Sequence, residues 1–128
     1  MARQIPQIYL MVTDLEASAR FYENGLGLPV AERGNRSVEF DTGACALKIE
    51  ADFDEATLKE FGLEPPGNQR GDGAVVVLGV DDVEAVHERV DGLDEGRVLT
   101  PPTEVSWGRE LFLVEDPDGY VVEVSRPL

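Results

Sequence analysis

The side chains of this chain that could do chemistry are few, and their types exclude several kinds of site. Cys45 is the only cysteine, so the chain has no internal disulfide and no zinc site built from paired thiolates. A Ser/His/Asp triad, a glycine-rich phosphate loop and a redox motif are all absent from the sequence. The groups that remain are carboxylates, amides, a few amines and a few aromatic rings.

Trp107 and Arg109 lie together at the start of an apolar, alternating segment, 109–115. An indole at such a position can stack on a flat ligand, and a guanidinium there can bind an anionic one. Ordinary packing is the favoured interpretation of Trp107, and surface pairing also accounts for Arg109. We therefore keep both residues as candidate ligand-binding residues, with packing as the alternative.

The elements that position these side chains come in two copies. The segment VTDLEA at 12–17 recurs as VDDVEA at 80–85, an offset of 68 residues. Each copy follows an apolar run, which predicts a strand, and opens a helix capped by Asp14 in the first copy and by Asp81 or Asp82 in the second. The repeat predicts two βα units of the same design.

Further strands complete each half. Three short strands are predicted after the first helix and three after the second, with the turn sequence DPDG before the last. A short helix is expected between the halves. The predicted strands are 7–12, 28–32, 37–41, 44–51, 74–80, 97–99, 109–115 and 120–125, and the intervening helix is 54–61.

The chain length fits one domain, 1–128, made of two βαβββ repeats at about 4–52 and 73–126 that are joined by a loop at 53–72. The longest apolar run is too short to span a membrane, and the N-terminal residues do not form the apolar core of a secretion signal. We therefore expect a soluble, cytoplasmic protein.

The charge balance disfavours anionic partners. The chain carries 26 acidic and 11 basic residues, a net charge of −15, and Lys48 and Lys59 are its only lysines. Such a charge repels phosphate backbones and anionic lipids, so we expect no nucleic-acid or membrane partner. Acidic residues in every segment with so few lysines also indicate a halophilic origin, where salt screens the repulsion.

Two motifs resemble the vicinal oxygen chelate superfamily, which includes glyoxalases, bleomycin resistance proteins and dioxygenases. They are the helix opening DLEASARFY at 14–22 and the closing segment WGRELFLVEDPDGYVVE at 107–123. The resemblance implies an α+β fold in which two βαβββ modules form curved mixed sheets that cup a small-molecule cavity, often at a dimer interface. It leaves the activity open, because this fold serves many functions.

The resemblance also implies where a divalent metal would be held, namely on the first and fourth strands of each module. Those positions are Gln7 and Lys48 in the first half and Val75 and Glu123 in the second. Glu123 and Gln7 can donate oxygen to a metal, whereas Val75 has no donor atom and the Lys48 ammonium has no lone pair. We expect no native Zn, Ni, Mn or Fe; if a metal is bound, Gln7 and Glu123 are its ligands.

Lys48 can replace the metal electrostatically by pairing with Glu123 inside the cup. In the alternative arrangement Lys48 extends to solvent and Glu123 is a hydrated rim residue. Glu50 shares the strand face of Lys48 and supplies a second carboxylate if the strand is bulged, although a water-facing strand end is the favoured interpretation. Tyr9 is expected beside Gln7 on the same face.

Three functions remain open at this point. The favoured one is a homodimeric protein that binds a small organic molecule without a native metal. The second is a divalent-metal lyase, isomerase or dioxygenase. The third is metal-free acid–base catalysis with Glu123 as the catalytic proton acceptor and Lys48 tuning it.

Overall fold

The computed structural model describes residues 3–67 and 69–128. Met1, Ala2 and Asn68, which the predicted domain and connecting loop include, lie outside the described residues. The helices are α1 (Leu15–Arg20), which continues as a π-helical turn (Phe21–Gly25), α2 (Glu55–Phe61) and α3 (Val83–Asp91). The strands are β1 (Gln7–Val12), β2 (Val30–Arg33), β3 (Ser37–Phe40), β4 (Ala46–Ala51), β5 (Val75–Gly79), β6 (Arg97–Val98), β7 (Thr103–Val105), β8 (Arg109–Glu115) and β9 (Val121–Pro127).

The strands form two curved mixed sheets, one in each half of the chain, and the α+β fold class is confirmed. The first has the order β1-β4-β3-β2, and the second has the order β5-β9-β8-β6, with β7 also paired to β8. In each sheet the first strand is parallel to the last one, β1 to β4 and β5 to β9. The two halves therefore share one topology, as the sequence repeat predicts.

The two helix openings are the same at the level of atoms. A side-chain oxygen of Asp14 accepts a hydrogen bond from Ala17 N at 3.1 Å, and Asp82 does the same for Ala85 N at 3.0 Å. Both caps have extended backbone, with φ −129° and ψ 99° at Asp14 and φ −127° and ψ 93° at Asp82. The second cap is thus Asp82 rather than Asp81.

The first helix differs from the regular helix that the spacing predicts, because it ends in a π-helical turn. Leu26 N donates to Phe21 O at 2.9 Å, which widens the turn by one residue. The wide turn buries the adjacent Phe21 and Tyr22 completely, one ring edge-on to the other. Leu28 N still bonds to Tyr22 O, so β2 starts at Val30, two residues later than predicted.

One hydrophobic core serves both halves. Most helix-facing residues of each sheet are buried in it or packed against it, and they alternate along the strands with residues that point away. We call the two surfaces that point away from this core the outer faces. That of the first sheet carries Gln7, Tyr9, Lys48 and Glu50, and that of the second carries Val75, Val77 and Glu123.

A polar junction connects the two halves near the end of β1. Arg70, from the linking segment, forms a bidentate pair with Asp52 at 2.7 and 2.9 Å and donates to Met11 O. The Tyr120 hydroxyl donates to the same carbonyl at 2.9 Å. Partial burial of the Tyr120 side chain raises the pKa of its hydroxyl. In the described part of the chain, no helix is both long and apolar enough to cross a membrane.

Candidate functional site

The outer face of the first sheet brings three of the predicted site residues close together. Tyr9 and Lys48 are neighbours on the parallel strands β1 and β4, and the Lys48 ammonium lies 5.0 Å from the centre of the Tyr9 ring. A cation at this distance from an aromatic face is attracted by about 0.5–1 kcal/mol at exposed sites. Gln7 lies one pleat further along the same face, where its amide donates to Glu39.

Of the two arrangements considered for Lys48, the pair with Glu123 is not what the structure shows. Lys48 Nζ lies 3.0 Å from Glu50 Oε1, and both side chains are partly buried. Residues two apart on a strand share a face, so Glu50 reaches Lys48 without any bulge. The expectation that Glu50 is a water-facing strand end is therefore wrong. The third function, in which Lys48 tunes Glu123 directly, loses its structural basis.

Strand register shows that Lys48 and Glu123 occupy equivalent positions in the two halves. Gln7 is the cross-strand partner of Ala46, two residues before Lys48, and Val75 is the partner of Val121, two residues before Glu123. The same offset in both halves excludes a register slip that would put Glu50 in the fourth-strand position. The family resemblance implies four positions. They carry the amide of Gln7, the ammonium of Lys48, the isopropyl group of Val75 and the carboxylate of Glu123.

These four side chains do not fit a divalent metal. Val75 provides no donor atom, and Lys48 brings a positive charge that is already committed to Glu50. Within residues 3–67 and 69–128, no group of three or more histidine, cysteine, aspartate or glutamate side chains is arranged to hold an ion. A tightly bound catalytic metal ordinarily needs three protein ligands.

The outer face of the second sheet is mostly apolar. Glu123 is flanked by Val77 on β5 and Leu113 on β8, and Val77 is 60% exposed. Arg109 donates to the buried hydroxyl of Ser125 at 3.0 Å, so the guanidinium covers the end of this face. Trp107 is 69% exposed on the turn before β8, and the packing interpretation of this residue is wrong.

Two glutamates of the first outer face were missed in the sequence. Glu39 and Glu32 lie directly opposite each other on β3 and β2, and with Gln7, Ser37 and Lys48 they line a cavity of about 180 Å³. Alternation along 37–40 puts Glu39 on the face opposite the buried Val38 and Phe40, and this signal was available. Glu32 follows a bulge at Val30, which breaks the alternation that would have placed it.

Two copies of a βαβββ unit with paired first and fourth strands define the class of protein. The family model described as Glyoxalase/Bleomycin resistance protein/Dioxygenase superfamily matches residues 4–124, and the chain belongs to this superfamily. An uncharacterized protein of Bacillus subtilis, YraH, is 28% identical over 127 residues, which are 95% of this chain and 97% of that protein.

Solved structures show the same fold. A glyoxalase-related enzyme from Fulvimarina pelagi is 25% identical, with a TM-score of 0.79 over 98% of this chain and 88% of that one. A protein of unknown function from Agrobacterium tumefaciens has a TM-score of 0.82 at 22% identity, over 100% of this chain and 97% of that one. The resemblance predicted from the two sequence motifs is confirmed.

Proposed function

We propose that this protein binds a small organic molecule on the outer face that carries Lys48, without a native metal. The observation that carries the proposal is the ion pair between Lys48 and Glu50 at 3.0 Å, at the position where the superfamily's enzymes would place a metal ligand. An ammonium fixed there repels a divalent cation and, with Gln7 and Glu39, offers hydrogen bonds that orient a polar organic group.

Elemental analysis together with ligand screening tests this proposal. Protein purified without chelator is expected to hold much less than one equivalent of transition metal per chain. In a fragment screen by amide NMR, binders should shift the signals of Gln7 and Lys48, with or without chelator. Lys48→Met keeps an unbranched side chain that is only one atom shorter but removes its charge, and should weaken the polar binders by about tenfold, the ~1.4 kcal/mol of one charged hydrogen bond.

The competing function, a divalent-metal lyase, isomerase or dioxygenase, predicts the opposite result. A stoichiometric metal that is lost in Glu123→Gln would exclude the metal-free proposal. Lys48→Met should then raise metal affinity, because the repelling charge is gone. The Fulvimarina pelagi relative is called glyoxalase-related, which keeps this alternative worth testing.

We propose further that the protein works as a homodimer in the cytoplasm. Among the described residues, β1 and β5 are each paired on one side only, and a groove of about 630 Å³ lies beside these two strands. The β5 edge carries Val75 and Val77 and no charge. Bare apolar strand edges favour association. The free Cys45 needs no oxidising compartment, which is compatible with the cytoplasm.

Light scattering coupled to size exclusion checks the dimer. The expected mass is that of two 14.0 kDa chains. Val77→Lys puts a charge on the apolar edge and should give a monomer, whereas Trp107→Lys changes an equally exposed residue outside this edge and should leave the mass unchanged. A wild-type monomer, or loss of the dimer in both variants alike, would contradict the proposed interface.

A further inference from the structure

The groove of about 630 Å³ beside β1 and β5 lies on the core side of the sheets, and we call it the core-side groove. Its volume is typical of small-molecule sites, which enclose about 300–1,000 Å³. Five of its side chains belong to the common core and a sixth, Leu78, packs against that core. The six aliphatic side chains are Leu10, Leu26, Leu28, Leu47, Leu78 and Val122. The groove is thus distinct from the outer faces.

The sequence repeat relates the two ends of this groove. Cys45 is the residue before β4 and Tyr120 is the residue before β9, and these strands pair with β1 and β5 in the same register. Cys45 and Tyr120 therefore occupy equivalent positions in the two halves. Met11 and Gly79 are equivalent as well, because the repeat offset of 68 residues relates them.

Tyr120 fills the space between the halves at the end of β1. Its hydroxyl donates to Met11 O at 2.9 Å, and Arg70 donates to the same carbonyl. The linking segment packs directly on the ring, since a Cβ atom at Gly71 would lie 2.7 Å from a Tyr120 ring carbon. An aromatic side chain therefore bridges the two halves at this end.

The opposite end carries the small side chain of Cys45 instead. Cys45 and Gly79 both line the groove, and Cys45 Sγ lies 3.9 Å from Ala46 O, the carbonyl of the next residue. A Cβ atom added at Gly79 would meet no atom of the described residues within 4 Å. A thiol is too short to bridge the halves as Tyr120 does, so the groove is open at Cys45. Apolar cavities of this kind hold water poorly and take up apolar molecules.

The open end presents a carboxylate. Asp41 is the charged residue among those that line the groove, and its carboxylate accepts a hydrogen bond from Gly43 N at 3.3 Å. The Thr42 hydroxyl is already engaged, because it donates to Cys45 O. A carboxylate can accept a further hydrogen bond from a hydroxyl or an ammonium group, whereas it repels an anion.

We infer that the core-side groove binds an aliphatic molecule whose polar end is a hydrogen-bond donor, a hydroxyl or an ammonium group, and not an anion. The aliphatic chain lies among the leucines of the groove, and the polar end lies at Asp41 beside Cys45. This site is additional to the outer face that carries Lys48, so neither proposal depends on the other.

A series of simple probes tests the ligand class on the full chain. Calorimetric titration with 1-butanol, 1-hexanol and 1-octanol should show affinity that rises about fourfold with each added CH₂ group. Octylamine should bind at least as tightly as 1-octanol, and octanoate at least about tenfold more weakly. Affinity that does not increase with chain length, or octanoate that binds as tightly as 1-octanol, would overturn the inference.

Matched variants of Cys45 locate the binding. Cys45→Tyr puts at the open end the residue that fills the equivalent place in the other half, and should weaken 1-octanol more than tenfold. Cys45→Ala keeps this end open and should retain the wild-type affinity within about twofold. Both variants should keep the wild-type circular dichroism spectrum. Equal affinity in the two variants would reject the site.

The native thiol gives a test that needs no variant. Cys45 is a free cysteine of intermediate exposure, so the neutral reagent iodoacetamide should alkylate it. Saturating 1-octanol should slow this alkylation at least about fivefold, whereas 1-butanol at the same concentration should not. An alkylation rate that 1-octanol leaves unchanged would contradict binding at this end of the groove.

Oligomer mass and NMR separate this inference from the other proposals. The protein should keep its mass when 1-octanol binds. If 1-octanol dissociates a dimer, or binds only to the Val77→Lys monomer, a second copy of the chain fills the groove; the inference then fails while the proposed dimer stands. If 1-octanol shifts the amide signals of Gln7 and Lys48 rather than those of Cys45 and Gly79, the alcohol lies on the outer face and the inference fails.

Discussion

Lys48 determines what its strand face can bind, because an ammonium at that position both repels cations and orients its neighbours. Its partner is set by the two-residue period of a strand, which brings Glu50 to 3.0 Å, while Glu123 lies on the other sheet. Glu39 accepts a hydrogen bond from the amide of Gln7 instead. A single lysine thus changes the character of the surface that the superfamily's enzymes use for a metal.

A second residue-scale feature is the buried pair of Tyr22 and Asp116. The tyrosine hydroxyl donates to the carboxylate at 2.7 Å, and Asp118 N and Tyr120 N donate to its other oxygen. Burial raises the pKa of Asp116, and the bond from Tyr22 partly offsets this rise. The carboxylate is therefore a group whose ionisation costs the folded state free energy, so its contribution to stability improves as it is protonated in acid.

Tyr22→Phe tests this pair. Removal of a hydrogen bond to a buried charged group should lower the free energy of unfolding by about 1.5–3 kcal/mol at neutral pH. The variant also raises the pKa of Asp116 further, so the difference from wild type should shrink as the pH falls through the range where Asp116 is protonated. Urea unfolding at several pH values measures it. A difference that stays constant with pH would show that Asp116 is not the acceptor that matters.

At the scale of elements, equivalent segments of the two halves have adapted to different neighbours. Both helices start from an aspartate cap with nearly identical backbone angles, but only the first ends in a π-helical turn. The second half approaches the first closely here, since a Cβ atom at Gly96 would lie 2.6 Å from the Phe21 ring. The turn fits two adjacent aromatic residues into the core that the halves share.

The two caps give a matched prediction. Asp14→Ala and Asp82→Ala should each cost about 1 kcal/mol of unfolding free energy, because each exposes one backbone N–H of the first helical turn. Asp14→Ser and Asp82→Ser retain a capping oxygen and should recover most of the loss. Chemical denaturation of the four variants checks this. Unequal recovery by serine in the two halves would mean that the caps are not equivalent, contrary to their geometry.

At the scale of the whole molecule, the net charge of −15 must be accommodated on a chain of 128 residues. Part of it is balanced locally, by pairs such as Arg97 with Glu115 and Arg126 with Glu110, both at 2.8 Å. The excess is carboxylate on the surface, and its self-repulsion opposes folding at low ionic strength. This repulsion, which salt would screen, is the physical basis of the halophilic origin that the sequence predicts.

Salt should therefore stabilise the protein. Raising KCl from about 0.01 M to about 1 M shortens the screening length from about 30 Å to about 3 Å, and we expect the unfolding temperature to rise by about 5 °C or more. Calorimetry in KCl, with sucrose as an uncharged control, measures the effect. Changing the exposed Glu64, Glu88 and Glu104 to glutamine should reduce the salt dependence. An unfolding temperature that does not change with KCl would contradict the role of repulsion.

The sequence by itself determined the repeat, and with it most of the fold, because caps and strand alternation depend on residues near each other in the chain. It specified β8 as 109–115 and the short helix that ends at Phe61 closely. It missed β7, a three-residue strand that exists only through its pairing with β8. The position of Lys48 among the family's site positions followed from the family resemblance, because among these positions the repeat offset of 68 residues relates only Gln7 to Val75.

Only the tertiary structure decided how the site side chains are paired. The choice of Glu50 over Glu123 as partner of Lys48, the contact of Gln7 with Glu39 and the exposure of Trp107 depend on which surfaces the shared core leaves outside. The ring contacts of Phe53 with Tyr9 and Phe61 join residues from β1, the segment after β4 and α2, which are up to 52 residues apart. Side-chain contacts at such separations are set by packing, and no local pattern in the sequence encodes them.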